Sequence, residues 1–181
     1  LILLETIIKL KEADPDAQRR VFEQYGERFY KLINRYVGDT ETAKDIMVDA
    51  MLKVFKNASK GRFENAYQFE AWMTRIMINE ALTFLRKKGN FNLRLDEVPE
   101  SYSMAENALS ALGAQEILGL IEELPTGYRT VFNLFAVEGY GHKEIAEMLS
   151  INVGTSKSQL SHARSLLKKK ILRSNERRKS I

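Results

Sequence analysis

The chain has no cysteine, and only 3 prolines and 10 glycines among its 181 residues. Without thiols there is no disulfide and no thiolate metal site, which fits a reducing compartment such as the cytoplasm. So few helix breakers predict a mostly helical chain. Histidine is scarce too, with His142 and His162 the 2 in the sequence. No HExxH occurs, and Gly139-x-Gly141 is too short for a phosphate cradle and lacks a preceding strand. His142, near a helix start, reads as a surface or capping residue rather than a base, and no spacing singles out a carboxylate pair. Enzyme chemistry, a metal and a cofactor are therefore not expected. No apolar run reaches the roughly 18 to 20 residues that span a bilayer. The opening LILLETIIKL is too short, with no basic region before it and no cleavage site, so membrane insertion is not expected. The sequence starts without methionine, as a processed or trimmed form would.

Apolar residues make up 44% of the chain, enough for real cores, and the net charge is +4. The placement of that charge says more than its size. Lys168, Lys169, Lys170, Arg173, Arg177, Arg178 and Lys179 crowd the C-terminus, and Arg86, Lys87 and Lys88 form a second cluster. Both suit a polyanion; the last few residues read more simply as a solubilising tail.

Asp14-Pro15 predicts the start of the first firm helix, with aspartate as N-cap and proline at the first helical position. Phe22, Tyr25, Phe29, Leu32, Ile33 and Tyr36 mark its apolar face, and Gly38 its stop. Asp39 or Thr40 caps the next helix, whose inward residues are Ala43, Met47, Ala50, Met51 and Val54. Glu41, Asp45 and Asp49 recur every four residues as an acidic ridge, either a solvated face or a docking surface for a basic partner. After a loop broken by Gly61, a third helix carries Phe69, Met73, Ile76, Met77 and Phe84 on its core side. Arg75, Asn79, Thr83 and Arg86 line the other side, a set suited to contacting bases and backbone together. Glu80 falls on the apolar side without explanation. Aromatics beside arginine can stack on unpaired bases; Phe69 and Trp72 read as core, while for Phe63 core and stacking stand level. The pattern fades after Lys88 into a polar stretch, residues 89–105. The chain thus divides into helical domains 1–88 and 106–181 joined by a flexible linker, an all-α fold.

In the second domain a helix resumes near Met104, bearing Ile117, Leu120, Ile121 and Leu124 on one side. Pro125 starts the next helix, with Val131, Phe132, Leu134 and Phe135 apolar and Gly139 as its stop. His142 to Leu149 and a helix opening at Gly154-Thr155 then form a helix-turn-helix pattern. The second helix has an apolar stripe of Leu160, Ala163, Leu167 and Ile171. Its opposite face carries Thr155, Ser158, His162, Ser165 and Lys169, flanked by Lys157, Gln159, Ser161, Arg164 and Lys168. Short hydroxyls let a helix approach a major groove, and lysine, arginine and glutamine supply contacts to phosphates and base edges.

These pieces, in this order from about Asp14 to Ile171, resemble the extracytoplasmic-function group of bacterial sigma factors. The resemblance rests on GDTETAKDIMVDAMLKVF, on F-x5-F-x2-W-x2-R-I-x2-N read at Phe63, Phe69, Trp72, Arg75, Ile76 and Asn79, and on LPTGYRTVFNLFAVEGYGHKEIAEMLSINVGTSKSQLSHAR. It implies binding to core RNA polymerase and promoter DNA, with an anti-sigma factor as a further partner. Asp45 and Asp49, with Glu41 on the same ridge, would dock on polymerase. Asn79 and the loop Phe63, Glu64 and Asn65, with Arg75 and Arg86 beside them, would hold the opened non-template strand of the minus-ten element. Lys157, Ser158, Ser161 and His162, with Thr155 and Gln159, would reach the minus-thirty-five duplex. An autonomous helix-turn-helix regulator is the alternative reading, and it leaves the first domain without a purpose.

The chain departs from the family's pattern at several positions. Gln159 stands where arginine is common, and Ser156 where a hydrophobic residue is frequent, an exchange expected to loosen the second helix. Val48 and Met51 replace a common glutamine and phenylalanine, and Ser150 takes a turn position often held by glycine.

Overall fold

A computed structural model describes residues 4–89 and 114–179. The chain splits into two compact units, Leu1–Leu85 and Arg86–Ile181. Among the described residues there are helices and no strands, and no helix is long and apolar enough to cross a membrane. The expected linker lies outside the described residues except for Gly89, as does the start of a helix near Met104.

The first unit holds α1 (Leu4–Lys11), α2 (Pro15–Val37), α3 (Thr40–Asn57), a 3-10 turn (Ala58–Lys60) and α4 (Ala66–Lys87) as far as Leu85, the unit boundary falling in the last turn of α4. The helix α1 precedes the helix expected to come first. The Asp14 carboxylate accepts from the Ala17 N–H at 2.7 Å, and Asp39 from the Thr42 N–H at 2.9 Å. Each satisfies a donor that a helix start leaves open. Gly38 ends α2 in the left-handed conformation, φ 73, its N–H on the Asn34 carbonyl.

The core is built from Tyr25, Phe29, Leu32, Ile33 and Tyr36 of α2, Ala43, Met47, Ala50, Met51 and Val54 of α3, and Ile7 and Leu10 of α1. The helix α4 adds Phe69, Met73, Met77, Ile78, Ala81, Leu82 and Leu85. Each large apolar side chain buried here contributes about 1.5–3 kcal/mol. Three residues assigned inward by periodicity are not core: Phe22 is 41% exposed, and Ile76 and Phe84 are half-buried. The core stripe of α4 is centred nearer Ile78 and Ala81 than the sequence pattern suggests. Polar ties run between helices at the margin. Glu70 takes Arg28 and the Tyr25 hydroxyl, joining α4 to α2, and Glu80 takes Lys53, joining α4 to α3.

The second unit holds α5 (Ala114–Glu122), α6 (Thr126–Phe132) running into a π-helical turn (Asn133–Val137), α7 (His142–Leu149) and α8 (Val153–Lys179). Ile121 and Leu124 pack with Ala163 and Leu167 of α8, and Tyr128, Phe132 and Leu166 close over them. The buried Arg129 guanidinium donates to the Glu122 carbonyl at 2.7 Å, closing the open end of α5. The turn between α7 and α8 places Ser150 at φ 55, ψ 43. A Cβ is disfavoured in that region, which explains why glycine serves the position well.

Gly61 is required by a close approach. Its φ of −77 and ψ of 141 suit any residue, but a Cβ there would lie 2.1 Å from the Phe63 ring. That ring packs 5.1 Å from Phe69 and 5.0 Å from Trp72, with the Lys11 ammonium 5.4 Å from its centre. An alanine otherwise gains about 0.4–1 kcal/mol from reduced chain entropy, less than the roughly 1–3 kcal/mol cost of overpacking. Gly61→Ala is therefore predicted to destabilise the first unit. Urea unfolding followed by the emission of Trp72, the only tryptophan, measures this as a lowered midpoint.

Candidate nucleic-acid and polymerase interfaces

Burial of Ala43, Met47, Ala50 and Val54 turns the opposite side of α3 to solvent. Glu41, Asp45 and Asp49 are exposed there, as the ridge requires. They are not equivalent. The Lys44 ammonium lies 2.8 Å from the Glu41 carboxylate, partly cancelling its charge. Beside Asp45 and Asp49 stand Val48, 45% exposed, and Leu52, 59% exposed. Two carboxylates and two apolar side chains thus share this exposed face.

The loop before α4 uses two candidate residues to build itself. Asn65 Oδ1 accepts from the Gln68 N–H at 3.0 Å, and Gln68 Oε1 accepts from the Glu64 N–H at 2.9 Å. The Gln68 amide also donates to Glu64 Oε2 at 3.3 Å. Asparagine is thus the N-cap, and Gln68 reaches back to the N–H one residue before it, a variant of the capping box. Phe63 is half-buried and held among Gly61, Phe69 and Trp72, so its ring serves as an internal strut. Trp72 is likewise half-buried.

Arg75, Asn79 and Arg86 of α4 are exposed. Asn79 borders a cavity of about 390 Å³ between α3, the 3-10 turn and α4. Trp72 and Ile76 form its apolar wall, Asn57, Asn79 and Glu80 its polar groups, and Lys53 and Lys60 its cations, with the Gly61 backbone completing it. Lys53, Asn57, Lys60 and Glu80 were not among the candidates from sequence. Their signal is weak there, because Glu80 meets its partner Lys53 only across two helices. That ion pair explains a carboxylate on an otherwise apolar arc.

In the second unit α8 is clasped by α5, α6 and α7, so burial extends well beyond one stripe. Lys157 and Ser161 are exposed, and Thr155 and Ser158 half-buried. Gln159 and His162, expected on the outward face, are instead 3% and 6% exposed. His162 stacks on Tyr128 of α6, ring centres 5.3 Å apart, and Gln159 Oε1 is buried with no hydrogen-bond partner. The outward row is Lys157, Ser161 and Arg164. Arg164, a flanking residue by sequence, sits over the Phe135 ring at 5.6 Å, which restrains its guanidinium.

His142 is half-buried. Its ring stacks on Phe135 at 4.7 Å, and its Nδ1 lies 2.9 Å from the Ser156 hydroxyl. Ser156 is fully buried. The expected loosening of α8 is thereby corrected: its hydroxyl is paired across the α7–α8 contact.

Comparison with known proteins finds a separate family model for each unit. The Sigma-70 region 2 model matches residues 21–91, and the Sigma-70, region 4 model matches residues 114–167. The RNA polymerase sigma factor SigV of Bacillus subtilis is 30% identical over 141 residues, covering 77% of this chain and 82% of that protein. The chain belongs to the extracytoplasmic-function group of the sigma-70 family. The ECF RNA polymerase sigma factor SigW of Bacillus subtilis is 27% identical, covering 94% of this chain and 97% of that one. The ECF RNA polymerase sigma-E factor of Haemophilus influenzae is 26% identical, covering 90% and 92%. This sigma factor directs RNA polymerase to promoters; the autonomous regulator is not favoured.

Burial, and then the nearby Lys157 and Arg164 charges, hold the His142 pKa below its ordinary value. The neutral ring is thus the folded form. As pH falls below about 6.5 the unfolded chain takes up a proton that the folded chain resists, so stability drops. The opening free energy of α7, taken from amide exchange after correction for the intrinsic rate, is predicted to fall between pH 7 and 5.5, and His142→Gln to flatten that dependence. An α7 exchange free energy that does not change with pH in the native chain contradicts it.

Proposed function

We propose that the two units divide promoter recognition between an opened strand and a duplex. The first unit docks on core RNA polymerase through Asp45 and Asp49, with Val48 and Leu52 supplying apolar area and Glu41 a weaker, Lys44-paired charge. Carboxylates at such an interface mainly steer and fix register, while the apolar neighbours supply affinity. An anti-sigma factor binding this sigma factor would cover the same face and so compete with polymerase.

The opened non-template strand lies along Arg75, Asn79 and Arg86, beside the cavity. Glu64 and Asn65 shape the loop that borders it, and Phe63 supports that loop from within. Strand opening by this route needs no covalent step. It exchanges base stacking for contacts in the protein, and an aromatic contact is worth roughly 1–3 kcal/mol per base. In the second unit Lys157, Ser161 and Arg164 face the upstream duplex, with Thr155 and Ser158 at the margin. Gln159 and His162 hold α8 in place and do not read bases.

The observation that carries this reading is the pairing of an asparagine-bordered cavity on the region 2 unit with an outward Lys157–Ser161–Arg164 row on the region 4 unit. The test is reconstitution with core polymerase and abortive transcription from promoters of the source genome. The native chain initiates RNA; Asp45→Lys with Asp49→Lys lowers polymerase affinity at least tenfold, about 1.4 kcal/mol. Failure to start RNA at any such promoter contradicts the reading.

A second prediction separates the outward row from the buried one. Lys157→Ala weakens holoenzyme binding to upstream duplex and lowers its salt slope by about 1. Gln159→Leu, similar in volume and buried, leaves the base preference unchanged. Binding titrations at several salt concentrations measure both.

A further inference from the structure

Phe135 joins the duplex-facing row of α8 to a histidine outside that row. The π-helical turn Asn133–Val137 carries it, half-buried. The Arg164 guanidinium sits over its ring at 5.6 Å, and the His142 ring stacks on it with centres 4.7 Å apart. One aromatic ring thus serves an exposed cation and a half-buried imidazole. His142 Nδ1 also lies 2.9 Å from the buried Ser156 hydroxyl. A hydroxyl donates to a neutral ring nitrogen and accepts from a protonated one, so this tie survives either state of the ring.

The charges that act on His142 have one sign. Its helix α7 packs against α8 and the π-helical turn. From α8, Lys157 and Arg164 act on the ring, and both are cations. The helix α7 itself carries Lys143, Glu144 and Glu147, and Glu138 and Tyr140 follow the turn. Glu144 is engaged, its carboxylate accepting from the Gly141 N–H at 2.8 Å. Burial opposes a proton on His142 first, and the two α8 cations oppose it next. Burial is built into the fold. The cationic share is not, because Lys157 and Arg164 are exposed and are the side chains proposed to meet the duplex. A phosphate beside either one offsets its charge at His142. It also draws on the Arg164 charge that a protonated His142 must otherwise share Phe135 with.

We infer that upstream duplex binding is proton-linked: bound duplex draws a proton onto His142, a positioning residue that acts through Phe135 and Arg164. Linkage is reciprocal, so a protonated His142 in turn favours bound duplex. In the complex the ring keeps its proton to a higher pH than in the free chain. The gain in affinity is therefore complete below the free chain's titration, itself under about 6.5, and is lost as pH rises through that of the complex. Acid strengthens the grip on the minus-thirty-five duplex, although it loosens α7 in the unbound chain. The inference rests on the proposed role of the second unit in binding duplex.

The experiment reconstitutes holoenzyme from core polymerase and the full chain. Its affinity is measured at fixed salt for a promoter and for the same promoter cut back to remove the minus-thirty-five duplex. The ratio of the two isolates the upstream contact from the pH dependence of polymerase and of the first unit. In native holoenzyme that ratio is expected to rise about twofold between roughly pH 7.5 and 5.5. His142→Gln, whose amide can still pair with Ser156, gives a ratio that does not change with pH. Arg164→Gln lowers the ratio throughout and diminishes the rise, an effect that simple packing of His142 does not produce. A direct reading comes from proton NMR of the His142 ring in the full native chain, which needs no variant to fold. Saturating upstream duplex oligonucleotide is expected to raise its titration midpoint by about half a unit. A native ratio that is flat or falls on acidification, an equal rise in His142→Gln, or a midpoint unmoved by bound duplex overturns the inference while duplex binding itself stands. If removing the upstream duplex costs native holoenzyme no affinity at any pH, the duplex reading fails, and this inference with it.

Discussion

Everything on the two surfaces depends on how α4 and α8 are rotated about their own axes. A helix has one such degree of freedom, and burial fixes it. In α4, Phe69, Met73, Met77 and Ala81 are wholly excluded from solvent. Rolling the helix by one residue would expose several of them, at about 1.5–3 kcal/mol for each large side chain. Arg75 and Asn79 are consequently held outward. In α8, Ser156, Leu160, Ala163 and Leu167 do the same for Lys157, Ser161 and Arg164. No single polar contact could hold either orientation against that cost.

Given these rotations, polar residues sort into those that build and those that remain available. Glu64, Asn65 and Gln68 bond one another and fix the entry to α4. Ser156 and His142 bond across α7 and α8. Such pairs remove from the binding surface residues whose chemistry alone would suit DNA. What remains outward is a shorter set, and it includes residues contributed by neighbouring helices. The Lys53–Glu80 pair belongs to both groups, because it ties two helices and lines a cavity.

Much of the architecture was legible in the sequence because its signals are local. Asp14, Gly38 and Asp39 act within one turn of their own helices, and the limits of α7 follow from a short apolar pattern. Ala43, Met47, Ala50 and Val54 sit on a helix that packs on one side, so one periodic stripe describes it. The sites were less legible because their signals are not local. A wheel drawn for α8 assumes one buried stripe, yet three helices surround it, and Gln159 and His162 fall within the wider arc. For Phe63 the sequence left core and stacking level; the missing Cβ of Gly61 is what lets its ring fold inward. Glu80 made no sense without Lys53, 27 residues away in the chain.

The account's central claim is that two separately packed units present one surface for unpaired DNA and another for duplex. Site-specific photocrosslinking in the polymerase–promoter complex tests it most directly, with a photoreactive residue replacing Asn79 in one protein and Ser161 in another. The account predicts that position 79 labels only the non-template strand within the opened segment, and position 161 only the upstream duplex. Labelling of the same duplex segment from both positions would contradict it.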